Sequence, residues 1–272
     1  MLYLISTPIG NLKDITFRAV ETLSLCDYIL CEDTRRSSIL LSHYKIKKRL
    51  LSFHKFNEKG QSEKILSDLK NGLSLAVISD GGTPGLCDPG ADLVRECQRL
   101  GLAFTAIPGP CAPIVALTLK GYKEESFQFL GFFPRKDSER KKSLFQIATY
   151  PGESVFFESP QRIEETLTLI AKIFPDAKIF IAREITKLHE EVIQGRPDEV
   201  LLHFQKKPPR GEFVVIMERQ STQSHLETLP PEELLPMLQD KYGLSLAEAI
   251  KATASLLDLP KQKIYKLAHD KS

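Results

Sequence analysis

The chain lacks the glycine fingerprints that cradle nucleotide phosphates. Neither Gly-x-Gly-x-x-Gly nor Gly-x-x-x-x-Gly-Lys-[Ser/Thr] occurs, which argues against a standard dinucleotide or triphosphate enzyme. Gly-x-Ser-x-Gly is also missing, so a serine hydrolase is not expected. The 5 cysteines form no Cys-x-x-Cys pair and no Cys/His group with zinc spacing. They read as free, mostly buried thiols of a reducing, cytoplasmic compartment, and no metal is expected. No apolar run approaches the length that spans a bilayer, so no membrane partner is expected. The opening MLYLISTPIG has no basic n-region or small-residue cleavage site and reads as a first strand. The net charge is only +2, so overall charge argues neither for nor against an RNA partner.

What the chain does have is the loop Ser79-Asp-Gly-Gly-Thr-Pro-Gly-Leu-Cys-Asp-Pro-Gly90. An apolar, β-prone run over 73–79 precedes it. A helix over 92–100 with Leu93, Val94, Cys97 and Leu100 on one face follows, stopped by Gly101. Glycine lets a ligand approach the backbone, and proline fixes φ and removes a donor. A rigid loop poor in side chains at the carboxyl end of a strand is where α/β sheets bind small molecules. The loop offers no obvious catalytic base, so selection of a second substrate is expected to come from elsewhere.

Strands are expected at 2–6, 28–31, 50–53, 73–79 and 103–107, separated by helices, one of them capped by Asp14. This alternation implies a mostly parallel sheet with helices on both faces. The polar stretch 121–126 marks a boundary. A second α/β unit follows, with strands at 127–133, 154–158, 178–182, 190–195 and 212–218. Polar residues 220–231 with Pro230-Pro231 read as a linker, and the tail as two or three short helices of helix-turn-helix length. The expected fold is α/β: two α/β domains, 1–120 and 121–220, with a ligand cleft between them, and a linker and small helical segment over 221–272.

Loops at strand ends carry the remaining polar candidates: Thr7–Asn11, Glu32–Arg35, Pro108–Ala112, Glu158–Arg162 and Arg183–Lys187. Basic clusters lie at Arg35-Arg36, Lys45–Arg49, Arg135–Lys142, Lys206–Arg210 and Lys261–Lys266, with Phe53, His54 and Phe56 near one of them. Each suits a solvated face, but together they favour a nucleic-acid partner. Arg35, Arg36, Arg135, Lys136 and Arg140 are the candidate RNA contacts.

The ordered segments STPIGNLKDIT, CEDTR, SDGGTPGLCDPG, PGPCA, FLGFFPR, FFESPQR, REITKLHEE and RGEFVVI resemble the ribosomal RNA small subunit methyltransferase I family. That family lies within the tetrapyrrole-methylase-like superfamily. The resemblance spans residues 6–216 and implies S-adenosylmethionine-dependent 2′-O-methylation of a cytidine ribose in the decoding region of small-subunit ribosomal RNA. It also implies a homodimer acting on that RNA or the assembled small subunit, with the methyl donor between two α/β domains. By the same resemblance, Pro8, Gly81, Gly82, Thr83, Leu86, Cys111 and Ala112 would contact the cofactor. Phe157 and Glu158 would close its pocket. Cys111 stands where the family usually has serine, and Gln161 where it often has histidine.

A ribose hydroxyl needs its proton removed before it attacks. Glu32 or Asp33, at a strand end facing the expected cleft, is the candidate proton acceptor, and Arg35 the candidate phosphate contact. The local alternative is Asp33 as a helix N-cap paired with Arg35. Glu184 and Lys187 are rival bases. Competing functions are methylation of a tetrapyrrole or protein side chain within the same superfamily, and a non-catalytic ribosome-assembly role.

Overall fold

The structure is a computed structural model that describes residues 1–123, 126–218, 220 and 226–269. Residues 124–125 of the expected boundary and 221–225 of the expected linker lie outside the described residues. The chain divides into two compact units, Met1–Val115 with Glu184–Glu190, and Ala116–Arg183 with Glu191–Ser272.

The first unit is built on a parallel five-stranded sheet. In chain order its strands are β1 (Leu2–Ile5), β2 (Tyr28–Cys31), β3 (Arg49–Ser52), β4 (Leu75–Ile78) and β5 (Phe104–Ile107). Their spatial order is β3-β2-β4-β1-β5, with Leu2 opposite both Leu75 and Phe104. Helices α1 (Phe17–Leu25), α2 (Thr34–His43), α3 (Glu58–Lys70) and α4 (Ala91–Leu100) connect them. Side chains alternate across a strand, so neighbouring residues feed two cores. Ile5, Ile29, Ala76 and Ile78 pack with Ala19 and Leu23 of α1 and Leu41 of α2. Leu2, Leu30, Leu75 and Val77 pack with Ile65 and Leu69 of α3 and Leu93 and Cys97 of α4. Each fully buried Leu or Ile contributes about 1.5–3 kcal/mol.

This topology positions the site. The connections leaving β1 and β2 run to one face of the sheet, and those leaving β3 and β4 run to the other. The carboxyl ends of the neighbours β2 and β4 therefore diverge, and such a switch point is where open α/β sheets receive ligands.

Local capping differs from expectation at one helix. Asp14 ends a short 3₁₀ turn (Leu12–Asp14), and Thr16 caps α1 by accepting from Ala19 N at 3.2 Å. An unexpected helix, α5 (Ala112–Lys120), follows β5.

The second unit holds β6 (Phe127–Phe132), β7 (Glu153–Glu158), β8 (Ile179–Arg183), β9 (Glu191–Gly195) and β10 (Phe213–Met217). Their order is β6-β7-β10-β8-β9. Only β6 and β7 pair in parallel, so this sheet is mixed rather than parallel. Helices α6 (Asp137–Thr149), α7 (Ile163–Ile173) and α8 (Pro197–Lys206) accompany it. The tail forms α9 (Pro231–Tyr242), α10 (Leu246–Leu256) and α11 (Lys261–His269). Ser245 and Glu248 form a reciprocal capping box at the start of α10. These tail helices have no separate core: Leu234, Leu238, Tyr242, Ile250 and Ile264 join Leu144, Phe156, Leu167 and Val215 in one cluster.

Because Leu238 is fully buried in that shared core, Leu238→Ala is expected to destabilise the second unit by about 2–5 kcal/mol. Urea unfolding read by amide exchange in β7 and β10 checks this. Unchanged protection there would show that the tail folds apart from the sheet.

Candidate active site

In the first unit, the loops after β1, β4 and β5 are tied to one another. Thr7 N donates to Gly82 O and Gly82 N to Thr7 O, both at 2.9 Å. Thr7 Oγ1 donates to Ser79 O at 3.2 Å. Thr83 Oγ1 gives its proton to Pro110 O at 3.2 Å. A hydroxyl has a single proton to give, so Ser6 is the donor in its 3.0 Å bond to Thr83. Gly82 has φ +88°, a conformation that penalises any side chain. A Cβ at Gly81 would stand 3.3 Å from Pro8 O. These two glycines therefore serve the approach of loop to loop. The 184–190 segment packs on the same region, where Asn11 N donates to Thr186 Oγ1 at 3.0 Å. At Gly10 an added Cβ would lie 2.6 Å from both Thr186 Oγ1 and Lys187 Cγ, so that position has no room for a side chain.

At the β2/β4 switch point the structure gathers three carboxylates, those of Glu32, Asp80 and Asp88. Asp80 Oδ1 accepts from Asp33 N at 3.1 Å, and Asp80 Oδ2 lies 3.5 Å from Arg36 Nη1. Burial first, then the charge of Asp80, raise the pKa of Glu32, opposed by a backbone bond from Asp80 and by the charges of His54 and Arg36. Asp88 is raised further, to about 7, by burial and by the charges of Glu32 and Asp80, while a hydrogen bond with Ser79 pulls it partway back. A carboxyl that titrates there can take up a proton at neutral pH. The sequence showed no obvious base in this loop. Asp80 and Asp88 were both in the quoted motif, and the grouping of exposed Asp80 and half-buried Asp88 with Glu32 is what the linear sequence hides.

The expected residues fall into distinct groups. Asp33 caps α2, accepting from Arg35 N at 2.8 Å, and Arg35 clamps the same carboxylate through Nε at 3.2 Å and Nη2 at 3.0 Å. The Arg35 side-chain and backbone bonds hold the Asp33 carboxyl below its usual range, a poor setting for a base. Arg35 and Arg36 are exposed. Leu86 is 40% exposed and Cys111 half-buried. Lys187 Nζ pairs with Glu184 Oε1 at 2.8 Å, which occupies both rival bases with each other.

In the second unit, Phe157 packs edge-on to Phe129 at 5.1 Å and beside Phe132 at 5.2 Å. The Glu158 carboxylate is buried and already shared: it accepts from Ser159 N and Thr166 Oγ1, both at 2.7 Å, and pairs with Arg162 at 2.5 Å. Arg135 and Lys136 are exposed. Arg140 is not the RNA contact expected of it: its side chain is 3% exposed, ion-paired with Glu165 at 2.5 Å and bonded to Pro134 O at 3.1 Å. Burial on the α6 face that carries Leu144 and Ile147 removes it from the basic surface. Phe53 is likewise fully buried. Among the described residues, no His/Cys/Asp/Glu group suits a metal ion, and no helix is long and apolar enough to cross a membrane.

A family model described as Tetrapyrrole (Corrin/Porphyrin) Methylases matches residues 1–201. A protein of Halalkalibacterium halodurans named ribosomal RNA small subunit methyltransferase I is 37% identical over 272 residues, covering 98% of this chain and 94% of that protein. The protein of that name from Thermotoga maritima is 46% identical over 216 residues, covering 79% of this chain and 97% of its own length. The crystal structure of diphthine synthase superposes with a TM-score of 0.64 at 13% identity, covering 97% of this chain and 98% of that one. At that identity the likeness concerns the fold alone.

The raised carboxyl has a thermodynamic consequence. Its folded pKa of about 7 exceeds the unfolded value of about 3.9, so wild type loses stability as pH rises between those two values. Asp88→Asn is therefore expected to be more stable than wild type at pH 8, by on the order of 1 kcal/mol after allowing for solvent screening. The advantage fades as pH falls towards about 4. Urea midpoints of both proteins at pH 5 and pH 8 check this. An equal difference at the two pH values would contradict the shift.

Proposed function

Because the chain belongs to the ribosomal RNA small subunit methyltransferase I family of the tetrapyrrole methylases, we propose that it uses S-adenosylmethionine to methylate a cytidine 2′-hydroxyl in small-subunit ribosomal RNA. The names of the relatives support the RNA substrate. The observation that carries the chemistry is the group of carboxylates at the β2/β4 switch point, with Asp88 pushed up to about 7.

The donor set fits the proposed cofactor. Carboxylates accept hydrogen bonds from ribose hydroxyls and attract cationic groups, and they repel phosphates, in keeping with the missing phosphate-binding glycine motifs. Pro8, Gly81, Gly82, Thr83, Leu86, Cys111 and Ala112 are the proposed contacts in the first unit, and Phe157 and Glu158 are carried over from the family resemblance alone. Thr83 and Glu158 would act through backbone, since their side-chain polar atoms are engaged. S-adenosylmethionine, when bound, supplies an electrophilic methyl group on a sulfonium. Asp88, assisted by Glu32, takes the proton of the acceptor hydroxyl, a role better matched to its proton affinity than to that of Asp33. Arg35 and Arg36 present cations to the flanking phosphates. A homodimer in a cytoplasmic setting completes the proposal.

Purified protein is expected to transfer tritium from methyl-labelled S-adenosylmethionine to small ribosomal subunits, with the label on a cytidine ribose. Asp88→Asn is expected to lower kcat by about 10²–10⁴-fold, the usual weight of a positioned acid or base. Variants Asp88→Asn and Glu32→Gln that both stay within a few-fold of wild type would remove the carboxylates from catalysis. Label on a tetrapyrrole but not on RNA would favour the other branch of the superfamily.

A further inference from the structure

Phe56 is 95% exposed, yet it does not sit on a loose segment. It lies in the turn between β3 and α3, and that turn is pinned from several sides. His54 N donates to Asn57 Oδ1 at 2.8 Å, and Asn57 Nδ2 donates back to Ser52 O at 3.0 Å. Asn57 N and Glu58 N both donate to His54 O at 2.9 Å. Gln61 Nε2 reaches Ser52 O at 2.8 Å. Phe56 N itself donates to His54 Nδ1 at 3.3 Å, and the two rings stand edge to face with centroids 6.0 Å apart. Phe53, three residues earlier, is fully buried and anchors the turn to the core. Exposed apolar residues scattered singly are ordinary. A phenyl ring carried outward on a braced turn presents its aromatic faces to solvent at a defined place on the backbone.

The surroundings say what that ring suits. Lys55 and Lys59 flank it and are exposed, and the ring itself is almost wholly open to solvent. Aromatic faces beside cations bind single-stranded nucleic acid, with the base stacked on the ring and the backbone phosphates on the lysines. The turn is also next to the candidate active site: Phe53 N donates to Cys31 O at 2.8 Å, so the turn begins alongside the residue that precedes Glu32. A base resting on Phe56 would therefore belong to a nucleotide near the proposed proton acceptors. Stacking favours unpaired bases, and RNA is read mostly where bases are splayed from a helix.

We propose that Phe56 is a stacking platform for a nucleobase of the RNA substrate, held by the His54–Asn57 turn beside Glu32. The proposal rests on the RNA methyltransferase reading and adds to it a substrate-positioning residue.

The chain contains no tryptophan, so Phe56→Trp creates a sole indole reporter at the platform. Saturating small-subunit ribosomal RNA is expected to quench its emission. Phe56→Ala and Phe56→Leu are each expected to lower kcat/KM for methyl transfer by about 5–150-fold, the range for loss of one stacked base. Phe56→Trp should retain activity within a few-fold of wild type. Affinity for S-adenosylmethionine by calorimetry and thermal midpoints should be unchanged in all three. The proposal is overturned if Phe56→Ala keeps wild-type kcat/KM, if Phe56→Leu rescues as well as Phe56→Trp, or if the indole emission is unmoved at saturating RNA. Wild-type protein that neither binds nor methylates small-subunit RNA would overturn the underlying reading as well, and is told apart by running the unsubstituted protein in parallel.

Discussion

Crowding of like charge at one end of a parallel sheet is the constraint around which the first unit is arranged. Glu32, Asp80 and Asp88 stand where β2 and β4 part, and burial with mutual repulsion raises the proton affinity of Glu32 and Asp88. Such a group costs stability, and the fold offsets it with specific partners: Asp33 N and Arg36 on Asp80, and Ser79 beside Asp88. Perturbed carboxyls of this kind cluster at functional sites because catalysis needs a base poised near the working pH. The ties between the loops after β1, β4 and β5 hold the surrounding backbone in one shape, so the carboxylates meet a preorganised environment.

The second unit handles charge differently. Glu158 with Arg162, Arg140 with Glu165, and Lys120 with Glu153 bury at least one partner each and pair it directly, although Glu153 Oε2 stays buried without a hydrogen-bond partner. Breaking a buried pair leaves an uncompensated charge, which is costly, whereas the intact pair adds little net stability. These pairs are best understood as fixing the geometry of β7, α6 and α7. The contrast is informative: the buried pairs are held for structure, and the two carboxyls with raised proton affinity, Glu32 and Asp88, lie at the switch point of the other unit.

Much of this was legible in the sequence, and the exceptions have physical causes. The strand-helix alternation of residues 1–107 was plain because each buried strand is a short apolar run and each helix has one apolar face. Helix α5 was hidden because Ala112–Lys120 is apolar nearly all round and shows no face. Arg140 looked like one more cation in a charged run, yet it shares the spacing of Leu144, Ile147 and Ala148 on the buried side of α6. Asp33 was equally readable as a base or a cap, and its bonds to Arg35 favour the cap. Asp80 and Asp88 were visible as letters, but their coupling to Glu32 depends on which strands become neighbours, a long-range property that no local pattern carries.

The most direct test is the titration of Asp88 itself. Carboxyl-carbon NMR of protein labelled at aspartate, compared with Asp88→Asn to assign the resonance, reads its protonation without any substrate. The account predicts an aspartate resonance with a midpoint at about pH 7 that vanishes in the variant. A midpoint for that resonance near the ordinary aspartate value of about 3.9 would contradict it.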